Sequence, residues 1–244
     1  MTSPSPSPAD LQPVPAAAAE VFGDRLPVLV AYAELLATAG VERGLLGPRE
    51  TPRLWERHVL NCAGLSELVE AGQTVLDLGS GAGLPGLVLA AARPDVTVVL
   101  CEPLLRRATF LTEAVQTLGL TGVVVRRARA EELAGKVLVD VVTARAVAPL
   151  DKLAGWALPL IAPGGRLLAL KGEQAEAELA QAGAALKHAG SAGASVVQVG
   201  SEALGTFARV VVVERGEATA AAKAPRKGAQ QQVAHKGFVQ RGRR

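Results

Sequence analysis

Val75-Leu-Asp-Leu-Gly-Ser-Gly-Ala-Gly-Leu-Pro-Gly-Leu87 carries an apolar run ending in an acid, a glycine-rich turn, and a helix-like segment that begins near Pro85. Glycine lets backbone amides approach a ligand closely, and a helix start presents N–H groups without intrahelical partners. This is the skeleton of a nucleotide-type cofactor site. From Gln73 onward the same alternation continues. Strands are predicted at Thr74–Leu78, Val96–Cys101, 123–127, 139–143 and 166–170, with helices near 85–92, 104–118 and 149–160 and a short turn at Ala130–Leu133. Repeated βα units of this kind imply a mostly parallel sheet with helices on both faces. A helix at 173–188 and two closely spaced strands, 195–199 and 207–214, suit a final antiparallel hairpin.

The glycine pattern alone leaves the cofactor open. Gly81-Ala-Gly83-Leu-Pro-Gly86 satisfies the dinucleotide fingerprint G-x-G-x-x-G. A dinucleotide, however, lays its pyrophosphate against the helix start, and the carboxylate of Asp77 beside that turn disfavours phosphate and suits a cation. S-adenosylmethionine has a sulfonium, an α-amino group and a carboxylate but no phosphate. Asp77-x-Gly79-x-Gly81-x-Gly83 is similar to the first motif of class I methyltransferases. Glu102, ending the next strand, can accept both ribose hydroxyls, which serves either cofactor. A nicotinamide-dependent oxidoreductase therefore stays open on these residues.

Ligands of open α/β sheets bind at the carboxyl ends of the strands. Those ends carry Asp77 and Gly79, then Glu102, Arg127 and Arg129, Arg145 and Lys171, with Arg106 opening the following helix. Acids for a cofactor are thus expected within a row of cations, which suits a polyanion held by its phosphates.

The composition narrows the class. A 244-residue chain with 49% hydrophobic and 20% charged residues can bury a sizeable core, but two Trp, one Tyr and four Phe leave little for base stacking. Cys62 and Cys101 provide neither a disulfide framework nor metal-ligand spacing, which points to a reducing cytoplasm. The Ser/Pro-rich start lacks a cationic leader, and no apolar run is long enough to cross a bilayer. Residues 217–244 hold seven Lys or Arg against one acid, a net of +6 that leaves −3 for residues 1–216 out of the chain's +3. The expected organisation is a disordered start (1–15), an N-terminal helical segment (16–71), a methyltransferase domain (72–216) and a basic, disordered tail (217–244). The tail either solubilises the chain or adds sequence-independent attraction to phosphates.

Some chemistries lack their residues. Methylation of an exocyclic amine usually brings Asn or Asp before Pro-Pro and an aromatic after the fourth strand, where this chain has Thr143-Ala-Arg-Ala-Val147. Methylation at pyrimidine C5 needs a nucleophilic cysteine, whereas Cys101 and Cys62 are expected to be buried. A ring nitrogen such as guanine N7 has a lone pair and no proton to lose, so positioning and electrostatics suffice. His58 is expected to pack or to make a structural hydrogen bond, with a substrate contact as the alternative. Trp55 and Trp156 are expected to pack helices on the sheet.

Six segments together resemble one family: Glu56-Arg-His-Val-Leu-Asn61, Asp77-Leu-Gly-Ser-Gly-Ala-Gly-Leu-Pro-Gly86, Arg106-Arg-Ala-Thr-Phe-Leu111, Arg129-Ala-Glu-Glu132, Ala144-Arg-Ala146 and Ala169-Leu-Lys-Gly172. It is the ribosomal RNA small subunit methyltransferase G family, also called glucose-inhibited division protein B, and the match spans roughly residues 53–175. The resemblance implies a class I, Rossmann-like enzyme that uses S-adenosyl-L-methionine to make 7-methylguanosine in the decoding-region loop of 16S rRNA. The substrate would be met in the small ribosomal subunit or an assembly intermediate, with the enzyme a monomer. Carried over by position, cofactor contacts are Gly79, Leu84, Ala130, Glu131 and Arg145, joined on chemical grounds by Asp77, Gly81 and Glu102. Arg106, Arg129 and Lys171 become candidates for RNA phosphates, no residue is singled out as acid or base, and no metal is implied. Other readings are transfer to another RNA, a protein or a small molecule, and a non-catalytic RNA-binding assembly protein. Many members have Asn-Leu-Thr before the Arg-His helix, where this chain has Gly47-Pro-Arg-Glu-Thr-Pro52.

Overall fold

A computed structural model describes residues 11–201 and 206–216. The expected disordered tail and most of the expected disordered start lie outside them. Seven strands form one sheet in the order β3-β2-β1-β4-β5-β7-β6: β1 Thr74–Leu78, β2 Thr97–Cys101, β3 Val123–Arg126, β4 Val139–Arg145, β5 Ile161–Lys171, β6 Ser191–Ser201 and β7 Thr206–Arg215. The first five run parallel, and β7 pairs antiparallel with both β5 and β6. Strand order reverses between β1 and β4, which puts the ligand crevice beside the turn after β1.

Helices cover both faces. On one lie α1 Ala16–Phe22, α2 Leu26–Leu35, consecutive helical turns from Pro48–Arg53 through Trp55–Leu60 and α3 Asn61–Ala63 to Gly64–Leu68, then α4 Gly86–Ala92 and α5 Leu105–Thr117. On the other lie α6 Ala130–Leu133, α7 Leu150–Ala157 and α8 Ala175–His188. The first face packs Leu29, Tyr32, Trp55, Leu87 and Phe110, and the second Leu76, Leu150, Leu153 and Leu186. Each such leucine, fully withdrawn from water, contributes about 1.5–3 kcal/mol before entropy is subtracted. The N-terminal helical segment is interrupted at Gly23, whose φ of +46° suits glycine, and Pro48–Arg53 winds into a 3-10 turn.

N-terminal helices and sheet are one packed unit. Tyr32 is fully buried, and its hydroxyl donates to the Ala82 carbonyl at 2.9 Å. Arg25 Nε donates to the Ala91 carbonyl at 2.8 Å. Asp77, 1% exposed, braces the centre: Oδ2 accepts the Gly86 N–H at 3.1 Å and Oδ1 the Thr143 hydroxyl at 3.3 Å. The carboxylate joins β1, the start of α4 and β4. A Cβ on Gly86 would sit 2.7 Å from Asp77 Oδ2, so this approach requires glycine.

Burial pushes the Asp77 carboxyl up from 3.8 to about 6, against the hydrogen bonds from Gly86 and Thr143. A raised folded-state value means that stability from this group is complete below the unfolded value and lost as pH rises through about 6. The stability of the native chain relative to Asp77→Asn should therefore fall by on the order of 3 kcal/mol between about pH 4 and pH 6, then level off. Urea unfolding of both proteins across that window checks this, and a constant difference would refute it.

Candidate cofactor site and substrate edge

The turn after β1 folds back over the end of β2. Gly79 and Ser80 donate their N–H groups to the Cys101 carbonyl at 2.8 and 3.1 Å. Gly79 has φ +69°, and a Cβ there would lie 2.9 Å from Val147 Cγ2. Conformation and space thus both demand glycine. Glu102, 2% exposed, clamps the turn: Oε2 accepts the Gly81 N–H and Oε1 the Leu104 N–H, each at 3.0 Å. A carboxylate offers about four lone-pair sites, so two remain for hydroxyls.

One expectation changes here. The start of α4 does not offer its N–H groups to a ligand, because Gly86 N–H is taken by Asp77 and Leu87 N–H by the Gly83 carbonyl at 2.7 Å. A buried carboxylate stands where a dinucleotide site needs pyrophosphate. Asp77 itself lies within the packing, so it acts through the turn it braces.

Gly79, Ala130 and Glu131 line one recess of about 180 Å³ together with Cys101, Val147 and Trp156. Trp156 packs against the core of the second face and also forms a wall of this recess, a role its sequence context did not signal. Trp55 is simply buried. The Glu132 carboxylate accepts the Arg129 N–H at 2.6 Å and fixes the start of α6 at the rim. The apolar walls suit a flat heterocycle such as adenine, and Glu102 beside the turn suits a ribose. The residues present thus accommodate S-adenosylmethionine.

Leu84 and Arg145 pack towards the other face, with the N-terminal helices. Arg145 Nη2 lies 2.6 Å from His58 Nδ1, and Nη1 donates to Cys62 Sγ at 3.2 Å. His58 makes a structural hydrogen bond, as expected, with Nε2 2.9 Å from Glu50 Oε2.

The predicted row of cations divides. Arg106, Arg127 and Arg129 are exposed. Lys171 is drawn inward: Nζ donates to Glu178 Oε1 at 2.6 Å and to the Ala148 carbonyl at 3.1 Å, with its side chain 13% exposed. It pins the loop after β4, since Glu178 also accepts the Leu150 N–H at 2.6 Å. Both cysteines are buried, and burial pushes the Cys101 thiol up to about 12. Among the described residues no His, Cys, Asp and Glu cluster could hold a metal, and no helix is long and apolar enough to cross a membrane.

Comparison with known proteins agrees with this geometry. TYW2 of M. jannaschii, solved in complex with AdoMet, superposes with a TM-score of 0.52 at 16% identity, covering 68% of this chain and 78% of that one, a likeness of fold. The ribosomal RNA small subunit methyltransferase G of Streptomyces avermitilis is 60% identical over 210 residues, 86% of this chain and 88% of that protein. That of Thermobifida fusca is 57% identical over 217 residues, covering 86% and 92%. A profile described as rRNA small subunit methyltransferase G matches residues 25–205. With the fold, the turn and these relatives in agreement, this chain belongs to the rRNA small subunit methyltransferase G family and is an S-adenosylmethionine-dependent methyltransferase.

Proposed function

We propose that the chain methylates N7 of one guanine in the decoding-region loop of 16S rRNA, acting as a cytoplasmic monomer on the small ribosomal subunit or an assembly intermediate. The observation that carries this reading is a carboxyl edge rimmed by exposed arginines, at which the two strand-end acids are tied up in the backbone and the cysteine is held as a thiol. Asp77 and Glu102 are buried and tied to backbone N–H groups. The Cys101 thiol is held far above neutrality, so covalent attack on a pyrimidine lacks its thiolate.

When bound, S-adenosylmethionine supplies an electrophilic methyl group on a sulfonium. The protein's work is then orientation. Glu102 accepts ribose hydroxyls, Gly79 and Gly81 let the backbone approach, and Ala130 and Glu131 close the recess around the adenine. Asp77 braces the turn from below, while Leu84 and Arg145 bound the site on the side of the N-terminal helices. Arg106 and Arg129 hold RNA phosphates, and Lys171 acts by fixing the loop that follows Arg145. A guanine N7 lone pair placed in line with the methyl carbon needs no proton removed.

Three outcomes are expected. Labelled methyl transfer to small-subunit particles lacking base modifications should give a single 7-methylguanosine in the decoding-region loop by mass spectrometry. Transfer elsewhere, or none despite cofactor binding, would overturn the assignment. Gly79→Glu should abolish cofactor binding in a folded protein, because bulk and charge enter the contact with Val147 at a φ that disfavours side chains. Calorimetric titration with S-adenosylmethionine checks it, and native affinity would remove Gly79 from the site. Deleting residues 217–244 removes seven cations, so RNA affinity should fall and its salt dependence flatten. An unchanged slope would show that the tail does not touch RNA.

A further inference from the structure

Arg145 leaves the end of β4 with its guanidinium held from the N-terminal side. Nη2 meets His58 Nδ1 at 2.6 Å and donates to the Arg57 carbonyl at 3.3 Å, while Nη1 donates to Cys62 Sγ at 3.2 Å. A guanidinium only donates, so Nδ1 must be the acceptor and the imidazole proton sits on Nε2. That N–H then donates to Glu50 Oε2, 2.9 Å away. His58 is 7% exposed, so the imidazole at the middle of this chain of hydrogen bonds is withdrawn from water. The backbone after Arg145 is constrained as well. Ala146 has φ +54°, rare for a residue with a side chain, and Lys171 holds the Ala148 carbonyl.

We propose that His58, oriented by Glu50, is a positioning residue that fixes the Arg145 guanidinium between the end of β4 and the cofactor turn. The proposal rests on the reading of Arg145 as a cofactor contact. Three of the five guanidinium N–H groups have protein acceptors here, so two can meet a carboxylate such as that of the cofactor's amino-acid end. Glu50 lies in the 3-10 turn Pro48–Arg53, immediately before the helical turn that carries His58.

Protonation tests the same geometry. An imidazolium has no acceptor at Nδ1 and would set two cations face to face. Burial, then the Arg145 charge, hold the His58 pKa below its usual value, with Glu50 opposing and Arg57 adding to the depression. The ionisable groups around it are Glu50 and Arg53 on the preceding turn, Arg57 on its own helix, and Arg145 from β4, with Cys62, Tyr32 and Asp77 beyond Arg145.

The experiment is calorimetric titration of the full chain with S-adenosylmethionine for the native protein, His58→Gln, Arg145→Ala and the double variant at pH 7.5, with thermal unfolding of each. Arg145→Ala should weaken binding about tenfold or more, the loss of a charge-assisted hydrogen bond. His58→Gln, which replaces the ring-fixed Nδ1 acceptor by an amide oxygen on a longer, freely rotating stem, should weaken it similarly, and the double variant should be no weaker than Arg145→Ala alone. Additive losses would overturn the positioning role while leaving Arg145 in the site. Native affinity in Arg145→Ala would overturn the reading of Arg145 and the proposal with it. Glu50→Gln, on a partly exposed side chain, covers the case in which His58→Gln fails to fold. It keeps an acceptor for Nε2–H but removes the charge that favours imidazolium, so the acid-side fall in cofactor affinity should move to lower pH. Asp77 titrates identically in both proteins and cancels in this comparison. An unshifted profile would overturn the proposal.

Discussion

The cofactor edge depends on a carboxylate that water does not reach. Asp77 lies under the turn, accepts the first N–H of α4 and a hydroxyl from β4, and holds three elements at one point. A buried acid is costly, and its raised pKa records that cost. The return is a helix start already satisfied from within, closed to phosphate. The turn's remaining freedom is taken by Glu102 at Gly81 and by the Cys101 carbonyl at Gly79 and Ser80. The cofactor therefore meets a surface formed before it arrives, the condition under which positioning alone can accelerate methyl transfer.

The N-terminal helices complete that surface. Tyr32 holds the Ala82 carbonyl inside the turn, and His58 holds Arg145 at the neighbouring strand end. Both contacts join residues 50 or more positions apart. They tie the helical segment to the strand ends on which the proposed site is built. On the opposite face the recess beside Gly79 is walled by Trp156 and Val147, and the exposed arginines stand at its rim and on the adjoining helix. In the proposed reading, cofactor support would come from buried residues and RNA attraction from exposed ones, so that substrate binding would respond to salt while the turn stays intact.

Much of the fold was legible because period and punctuation agree. Every predicted strand from Thr74 to Glu214 overlaps an observed one, with ends shifted by a few residues, as at β4, which continues to Arg145, and β6, which begins at Ser191. Strand ends depend on pairing partners, which local pattern does not contain. The predicted contacts Gly79, Ala130 and Glu131 share one recess, whereas Leu84 and Arg145 lie towards the N-terminal helices. Lys171 illustrates the limit. Its place at a strand end was readable, but its pairing with Glu178 depends on how α8 returns across the sheet.

The sequence by itself determined the βα alternation, the glycine turn with its two acids, and the family, because these rest on residue types at short spacings. Only the tertiary structure decided which donors those acids take, which cations remain outside, and that Tyr32 reaches the glycine turn, His58 reaches Arg145 and Trp156 walls the recess. The physical reason is distance along the chain. Hydrogen bonds such as Tyr32 to Ala82 and His58 to Arg145 exist only once the N-terminal helices have packed onto the sheet, and that packing leaves no local mark on the residues it joins.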